Sequence, residues 1–473
     1  MKVTLIRFFA LLLAGILLIS CVACADDTGN VSETTHAATH EEIEETETSF
    51  KPDIDTKNYG SEFIITGVDS IRNHAIASEE ERGDPLMDTI YERNLKIEEQ
   101  LGVEIVDVDA GDWKSYASNV IRTVQSGDDE YQMVSTHVYQ GVVSFLTSDV
   151  AYDFAELESV NLDAPYWATE FMSEMMIQDQ YLVGYNDLCL TSVHCITFNK
   201  EMMDTYRMQY PYDEVINKTW TLDRFFGMAS TVTTGNSESN GAYGIAGNGW
   251  IELISFVTSS DIKVVDKDSN GYFRIAYENN SEKTYDLLER IHGMFHSEYA
   301  YLSSPRLSRE GLDFRDGTSM FYLLASSDLP KYRDTSFEFG VLPYPLYDES
   351  QEKYRAMNWN GVIIIPSSIK NTEMVSDVME LFAYYSAPVK TAYYEDLLGS
   401  KIAQAPQDAE MLDIIWESVV SDVGMITANL AGMDPLLYMV PNLCVDGIDR
   451  YASFLQANTK TANRSLDRLF NQK

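Results

Sequence analysis

Two stretches of this sequence place side chains at spacings that suit a metal ion. His292 and His296 are four residues apart in a helical pattern, so both imidazoles would share one helix face and could ligate zinc. No Glu follows His292, so the pattern of zinc proteases is absent, and we interpret the pair as a solvated helix end. Residues 266–271 copy the first half of a calcium loop, but Tyr277 stands where the bidentate Glu belongs. Strand-like residues flank this stretch, which favours a hairpin turn, so we predict no metal and no cofactor.

A cysteine near the N-terminus has a different chemistry. Lys2 and Arg7 precede an apolar run over 8–19, which is shorter than the roughly 20 residues of a spanning helix. The residues Leu18-Ile19-Ser20-Cys21 resemble the lipobox of bacterial lipoproteins, in which the cysteine thiol takes a diacylglyceryl group. We therefore predict a signal peptide over 1–24 and a lipid anchor at Cys21, with Cys24 as the alternative. Two acyl chains give stable anchoring.

The other three cysteines do not form a framework. Cys189, Cys195 and Cys444 are odd in number and sparse. A bridge between Cys189 and Cys195 is possible, but we favour buried free thiols.

The charge of the chain excludes one class of partner. The formal net charge is −40, and such a surface repels phosphate backbones, so we predict no nucleic-acid binding. Residues 25–57 are acidic at their start and lack apolar periodicity, which predicts a disordered tether.

Alternating strand and helix patterns follow the tether. The segments 62–68, 103–108 and 131–135 read as strands, and apolar stripes between them read as helices. Strands separated by helices indicate parallel pairing with crossover connections.

Several short motifs then resemble one family in order along the chain. Ile196-Thr197-Phe198-Asn199-Lys200-Glu201 resembles a Tyr-Tyr-Asn-Lys-Asp segment, and Phe314-Arg315-Asp316-Gly317-Thr318-Ser319-Met320 resembles a Phe-x-x-Gly-x-Ala-Met segment. Lys218 to Asp223 and Phe339 to Pro345 supply two further matches. The family is that of the extracellular solute-binding proteins of ABC importers, in the group that includes maltose-binding protein.

The resemblance implies an α/β, two-lobed, periplasmic-binding-protein-like fold of type II, whose lobes are joined by hinge segments. It places 58–190 and 300–335 in lobe 1, and 191–299 and 336–473 in lobe 2. The expected hinge segments lie around 190–193, 299–304 and 337–340.

Candidate ligand-binding residues are polar or aromatic and lie in irregular segments. Flat amphipathic rings suit sugars, and the resemblance also points to carbohydrate. Trp250 follows Gly247-Asn248-Gly249, and Asn358, Trp359 and Asn360 precede a buried strand. His137 and Tyr139 follow the third strand, where such folds present ligand loops. Asp187, at the first lobe crossing, could accept hydroxyls. We interpret His194 as a satisfied structural histidine.

These features together predict a lipid-anchored solute-binding protein on the extracytoplasmic face of the cell membrane. It would capture a carbohydrate, an oligosaccharide by preference, by cleft closure and deliver it to ABC permease subunits. We expect no enzymatic activity, since no GxSxG elbow or phosphate-binding GKS loop appears. The alternatives are a surface-tethered glycoside hydrolase, because the 74 acidic residues could include a catalytic pair, and a sensory or adhesive lipoprotein of the same fold.

Overall fold

The computed structural model describes residues 50–68, 76–77, 83–190, 192–232, 241–359, 361–398 and 406–471. The chain divides into a unit of residues 1–51, of which the last two are described, and a second unit from Pro52 to Lys473. The predicted signal peptide, Cys21, Cys24 and most of the predicted tether lie outside the described residues. All elements named below belong to the second unit.

The secondary structure of the second unit alternates between strands and helices. The strands are β1 (Ser61–Gly67), β2 (Val103–Asp109), β3 (Met133–His137), β4 (His194–Asn199), β5 (Tyr243–Asn248), β6 (Val265–Lys267), β7 (Phe273–Ile275), β8 (Ala300–Ser303), β9 (Ser319–Ala325), β10 (Phe339–Leu342), β11 (Ala356–Met357), β12 (Gly361–Ile364) and β13 (Val419–Val420). The α-helices are α1 (Pro85–Leu101), α2 (Tyr116–Gln125), α3 (Val142–Thr147), α4 (Thr169–Glu174), α5 (Lys200–Thr205), α6 (Tyr212–Ile216), α7 (Leu222–Ala229), α8 (Ile251–Ser259), α9 (Ser281–Phe295), α10 (Thr372–Tyr385), α11 (Ala387–Leu398), α12 (Pro406–Glu417), α13 (Val423–Ile426), α14 (Asp434–Leu437), α15 (Met439–Asp446) and α16 (Tyr451–Leu466).

The first sheet has the strand order β12–β3–β1–β2. β1 pairs in parallel with β2 and β3, and β12 runs antiparallel to β3. The helices α1 and α2 supply the crossovers that parallel neighbours need. The predicted strand–helix–strand order is therefore confirmed. Because the parallel strands end at one edge, the loops that follow them meet there.

The first crossover helix shows how the local sequence sets its bounds. Asp84 caps α1 by accepting hydrogen bonds from the backbone N–H groups of Leu86 and Met87, both at 3.1 Å. Gly102 ends the helix with φ 58°, which glycine adopts readily. Asn94, the polar break in the apolar stripe, is buried and its Nδ2 donates to the carbonyl oxygen of Ile76 at 3.0 Å.

The second sheet has the order β10–β4–β9–β5–β8. β5 is parallel to β8 and β9, whereas β4 is antiparallel to β9 and β10. The helices α7 and α8 pack against β5, and α9 packs against β8. A buried ring cluster fills the space beneath them, with the centroids of Phe225 and Phe321 5.0 Å apart.

The chain passes between the two sheets at segments that pair with each other. Val193, which leads into β4, forms an antiparallel bridge with Asn358. The backbone N–H of Trp359 donates to the carbonyl oxygen of Ser192 at 2.9 Å. Ser326, directly after β9, donates its N–H to the carbonyl oxygen of Val193 at 2.7 Å. The protein thus has two α/β lobes joined at a paired junction, as the resemblance implied.

The strands divide between the sheets differently from the predicted segments. Residues 300–335 were expected in lobe 1, but they contain β8 and β9 of the second sheet. Residues 336–473 were expected in lobe 2, but they contain β12, which pairs with β3, and α10 and α11, which pack on α1. The sequence of a short apolar strand does not specify which strand it pairs with, because that choice depends on tertiary packing. Of the expected hinge segments, the one around 299–304 contains β8 and the one around 337–340 contains the start of β10, and both strands belong to the second sheet. From the third expected segment, Ser192 and Val193 lie at the junction.

The folded unit also begins before residue 58. The carbonyl oxygen of Ile54 accepts a hydrogen bond from Gln100 Nε2 at 2.8 Å. The Nζ atom of Lys57 lies 2.7 Å from carboxylate oxygens of both Glu373 and Asp377. The last residues of the predicted tether therefore pack against α1 and α10, through polar contacts that apolar periodicity does not reveal.

Candidate functional site

Six side chains from distant parts of the sequence form a connected group of rings at the junction of the lobes. The Trp250 ring stacks on Tyr438, with centroids 4.8 Å apart, and Tyr438 meets Tyr139 edge to face at 6.0 Å. Tyr139 stacks on Trp359 at 5.9 Å. Trp359 in turn contacts two imidazoles, with centroid distances of 4.5 Å and 5.5 Å. We call this group the aromatic cluster: His137, Tyr139, His194, Trp250, Trp359 and Tyr438.

Both lobes and their junction contribute to the aromatic cluster. His137 is the last residue of β3 in the first sheet, and its Nδ1 accepts a hydrogen bond from the backbone N–H of Tyr139 at 3.2 Å. His194 is the first residue of β4 in the second sheet. Trp359 lies on the junction itself. Its ring therefore touches a residue of each lobe.

The end of β5 brings Trp250 to this place. The backbone N–H of Trp250 donates to Asn248 Oδ1 at 2.9 Å, which sets the turn into α8. A Cβ atom at Gly249 would lie 2.5 Å from the carbonyl oxygen of Ser303, so only glycine lets this turn approach β8 so closely. The glycine-rich stretch thereby fixes the entry angle of Trp250.

The last of the six rings comes from the C-terminal helices. Tyr438 lies between α14 and α15, and α15 packs on α8 and α9. The Nδ2 atom of Asn429 donates to the carbonyl oxygen of Tyr139 at 2.9 Å. The C-terminal region of the second lobe therefore reaches the loop after β3 of the first.

The imidazoles of the cluster are uncharged at neutral pH. Burial lowers the pKa of His137 to about 4, and burial together with the nearby His137 lowers the pKa of His194 to about 3. Burial also raises the pKa values of Tyr139 and Tyr438. The aromatic cluster thus presents neutral rings that carry hydrogen-bonding groups.

One acidic group accompanies the rings. Asp434, at the start of α14, forms a hydrogen bond with Tyr139, and burial raises the pKa of the Asp434 carboxyl. Of the contacts between cations and rings in the described parts of the chain, none involves a ring of the aromatic cluster. The surroundings therefore favour an uncharged ligand over an anion.

Four of the predicted site residues are brought together here, and the others are not. His137, Tyr139, Trp250 and Trp359 belong to the aromatic cluster. Asn358 is buried beside them in the bridge with Val193, and Asn360 lies outside the described residues. The Asp187 carboxylate accepts from Lys390 Nζ at 2.8 Å, so this acid forms an ion pair with a residue of α11.

Sequence reasoning did not assign two members of the cluster. The interpretation of His194 as a satisfied histidine is wrong, because neither ring nitrogen has a hydrogen-bond partner among the described residues. Its position at the entry to the second lobe was the signal available. Tyr438 lies in a tail whose sequence carried no motif.

Sequence reasoning also missed a buried carboxyl group two residues after Trp250. Glu252, in the first turn of α8, is only 9% exposed, and burial raises the pKa of its carboxyl to about 8. Its Oε2 atom has no hydrogen-bond partner among the residues described. At neutral pH this group therefore binds a proton for much of the time.

The metal-like motifs have structural explanations. Residues 266–271 comprise the end of β6 and the turn before β7, and the two strands pair as the predicted antiparallel hairpin. In the turn, Asp268 Oδ1 accepts from the N–H groups of Asn270 and Tyr272. The Nε2 atom of His296 lies 2.7 Å from the carbonyl oxygen of Cys444, at the end of α9. Within the described residues, no three His, Cys, Asp or Glu side chains gather as a metal site would require.

The cysteines of the folded unit confirm the prediction of free thiols, because Cys189, Cys195 and Cys444 form no disulfide. Cys195 and Cys444 are buried as expected, whereas Cys189 is partly exposed. In the described part of the chain, no helix has both the length and the apolar character needed to span a membrane.

Comparisons with known proteins were made by sequence and by structure. No protein-family model matches this sequence, and no curated protein matches it. Solved structures do match. The ABC substrate-binding protein Lmo0181 from Listeria monocytogenes, in complex with cycloalternan, aligns with a TM-score of 0.57 at 11% identity, covering 87% of this chain and 100% of that one.

Two further solved structures give the same result. The GacH receptor of Streptomyces glaucescens, solved without ligand and with acarbose, aligns with a TM-score of 0.56 at 12% identity over 87% of this chain and 99% of its own. Maltose-bound MalE3 of T. maritima aligns with a TM-score of 0.54 at 12% identity over 87% of this chain and all of that chain. At such low identity the likeness concerns the fold alone. The chain therefore has the two-lobed α/β fold of the solute-binding proteins of ABC transporters.

Proposed function

We propose that this protein captures a carbohydrate outside the cell and presents it to an ABC permease. The observation that carries the proposal is the aromatic cluster, whose rings come from both lobes and meet at their junction. A tryptophan or tyrosine face covers the apolar face of a sugar ring, while imidazole and phenol groups bind its hydroxyls. We infer that the sugar lies between Trp250 and Trp359.

The placement of the rings suggests how capture would occur. Trp359 is fixed to the junction, whereas His137 and Trp250 belong to different lobes. A ligand that contacts both lobes stabilises the closed arrangement, because some of its contacts can form only when the lobes are closed. The more favourable these contacts are, the further the ligand shifts the protein towards closure. Rotation about the junction near Val193 would then open and close the site.

The proteins with this fold support a carbohydrate ligand. The three structures described above were solved with cycloalternan, acarbose and maltose. Two further rings, Tyr438 and Tyr139, link Trp250 to Trp359, so a ligand that contacts both tryptophans has to be longer than a single sugar ring. We therefore propose an oligosaccharide of two or more units as the ligand.

A binding screen on the purified protein tests this function. Maltose, maltotriose, acarbose, cycloalternan and ribitol form the carbohydrate arm, and trialanine and glycine betaine form the peptide and osmolyte arms. A ligand at 100 times its dissociation constant adds about 2.7 kcal/mol to the free energy of unfolding, which thermal unfolding detects. Titration calorimetry then gives the affinity. Stabilisation by the peptide or by glycine betaine alone would contradict the proposal.

The same samples distinguish capture from hydrolysis. A bound oligosaccharide should be recovered intact after prolonged incubation with the protein, as measured by chromatography. Release of shorter sugars would instead identify a tethered glycoside hydrolase.

We further propose that Cys21 carries a lipid that holds the protein at the outer face of the cell membrane, close to its permease. Cys21→Ala should release the protein into the medium, whereas Cys24→Ala should leave it with the membrane fraction. Release by Cys24→Ala alone would assign the lipid to Cys24.

A further inference from the structure

His194 is a buried imidazole of the aromatic cluster whose nitrogens make no hydrogen bond within the part of the chain that the structure describes. It is 2% exposed, and neither Nδ1 nor Nε2 has a hydrogen-bond partner among the described residues. His137, by comparison, accepts from the N–H of Tyr139 and hydrogen-bonds the backbone of Trp359. A buried polar group without a partner lowers stability, so its presence calls for an explanation.

The His194 ring lies directly beside a ring of the proposed binding site. The His194 ring meets the Trp359 ring at 75°, with centroids 5.5 Å apart. His137 contacts the same Trp359 ring from the other lobe. Parting of the lobes would separate the two imidazoles and admit a ligand between them.

We propose that His194 is a ligand-binding residue whose imidazole donates to and accepts from the hydroxyl groups of an uncharged saccharide held against Trp359. This inference rests on the proposed function and names a specificity-determining residue for it. A neutral imidazole has one donor and one acceptor nitrogen, and a sugar hydroxyl can take either role. An anionic group would find no positive charge here, because burial and His137 keep the pKa of His194 at about 3.

The proposal makes opposite predictions for stability and for binding. Replacement of an unpartnered buried imidazole by an apolar ring removes a cost to the free protein. His194→Phe should therefore unfold at a temperature no lower than wild type does, yet bind the carbohydrates of the screen at least tenfold more weakly. His194→Gln keeps a donor and an acceptor and should bind more tightly than His194→Phe. His194→Leu provides a second apolar variant in case phenylalanine is too large for the site.

Thr197 in the same strand provides the matched control. Its Oγ1 donates to the carbonyl oxygen of Tyr322 at 3.3 Å, so this side chain has an internal partner. Thr197→Val should lower the unfolding temperature and leave sugar affinity unchanged. The two variants thus separate a structural polar group from a ligand-binding one.

The outcomes distinguish this inference from the proposed function. Unfolding temperatures well below wild type for both apolar variants would show that His194 has a structural role, such as a hydrogen bond to buried water, and would overturn the inference. Unchanged affinity in His194→Phe would overturn it as well, while the proposed function stands. If no carbohydrate of the screen binds the wild-type protein, the proposed function fails, and the unfolding temperatures still decide whether His194 lacks a partner in the free protein.

Discussion

At the scale of single residues, the tryptophans of this chain have two different environments. Trp220 is completely buried, and its Nε1 donates to the carbonyl oxygen of Pro343 at 3.0 Å. Trp250 and Trp359 are half-buried and contact other rings of the aromatic cluster. An exposed ring face is what a sugar can cover, so burial separates the structural tryptophan from the candidate ligand-binding ones.

Truncation of Trp250 tests this distinction. Trp250→Ala removes the ring that stacks on Tyr438 and should weaken carbohydrate binding by about 1–3 kcal/mol, as measured by titration calorimetry. Trp416 on α12 is a matched control, because it is also half-buried and packs against another ring, with its centroid 4.6 Å from that of Tyr394. Trp416→Ala should change stability but not affinity. Equal affinities for wild type and Trp250→Ala would exclude Trp250 from the site.

The imidazoles predict a pH dependence of stability. The pKa of His194 in the folded protein is about 3, well below its ordinary value of 6.5. Below pH 6.5 the unfolded chain therefore binds a proton that the folded chain does not, and the stability contribution of this site falls as the pH is lowered towards the folded-state pKa. The loss is roughly 1 kcal/mol per pH unit.

Comparison with His194→Phe isolates this effect from other groups. Glu252 and His137 titrate in both proteins, and the pKa of Glu252 in the folded protein is raised to about 8. Their contributions largely cancel when the free energy of unfolding of the variant is compared with that of wild type. Urea unfolding at pH 7, 5.5 and 4.5 should show the variant gaining stability relative to wild type as the solution is acidified. A constant difference over this range would contradict the buried, neutral state of His194.

The sequence predicted those members of the aromatic cluster that lie in a recognisable local pattern. Trp250 and Trp359 stand beside glycine or asparagine in irregular segments, and His137 and Tyr139 follow a recognisable strand, so position in the fold could be inferred. Tyr438 has no such context, because its helix–helix turn joins the cluster only through tertiary packing. His194 was misread because the absence of a hydrogen-bond partner depends on neighbours that are distant in sequence.

At the scale of elements, the turn from β5 into α8 determines where Trp250 lies. Gly249 donates its N–H to the carbonyl oxygen of Ser303 at 2.9 Å, and an added Cβ would meet that oxygen and Leu302 Cβ at 2.5 and 3.0 Å. Gly249→Ala should therefore separate β5 from β8 at this end, lower the free energy of unfolding by about 1–3 kcal/mol and weaken sugar binding. Chemical unfolding and calorimetry measure the two effects.

A second glycine supplies a control with the opposite sign. Gly293 lies inside α9, and an added Cβ there would meet no atom within 4 Å. Alanine is favoured over glycine in helix interiors by about 0.5–1 kcal/mol, so Gly293→Ala should raise stability and leave affinity unchanged. If Gly249→Ala behaved like Gly293→Ala, the close approach of β5 and β8 would not be what positions Trp250.

The elements themselves were predicted where local patterns suffice. Strands β1, β2 and β3 and helices α1 and α2 have clear periodicity and clear ends, so their parallel arrangement followed from the sequence. The partner of β12 did not, since a four-residue apolar strand fits either sheet equally well. Tertiary contacts alone place it beside β3 and so return the chain to the first lobe.

At the scale of the whole molecule, the segments that cross between the lobes are paired by a small set of backbone hydrogen bonds, and side chains of the two lobes also meet, as those of Tyr139 and Tyr438 do. Ser192, Val193, Ser326 and Trp359 pair the crossing segments to one another. The ladders of β1, β2, β3 and β12 lie within the first sheet, and those of β4, β5, β8, β9 and β10 lie within the second. A rotation at the junction could therefore move each sheet as a rigid body, with little loss of its own hydrogen bonds.

This architecture predicts a change of shape on binding. In the structure, Tyr139 of the first lobe contacts Tyr438 of the second directly, so a sugar can enter between the rings only if the lobes separate. We expect the free protein in solution to populate separated lobes, and a saturating sugar from the screen to reduce the radius of gyration measured by small-angle X-ray scattering. Trp250→Ala should need a higher sugar concentration than wild type to reach the smaller radius, because it loses contacts that favour closure. Identical scattering from the free and saturated wild-type protein would mean that the sugar binds without closure, and the junction near Val193 would then have no role as a hinge.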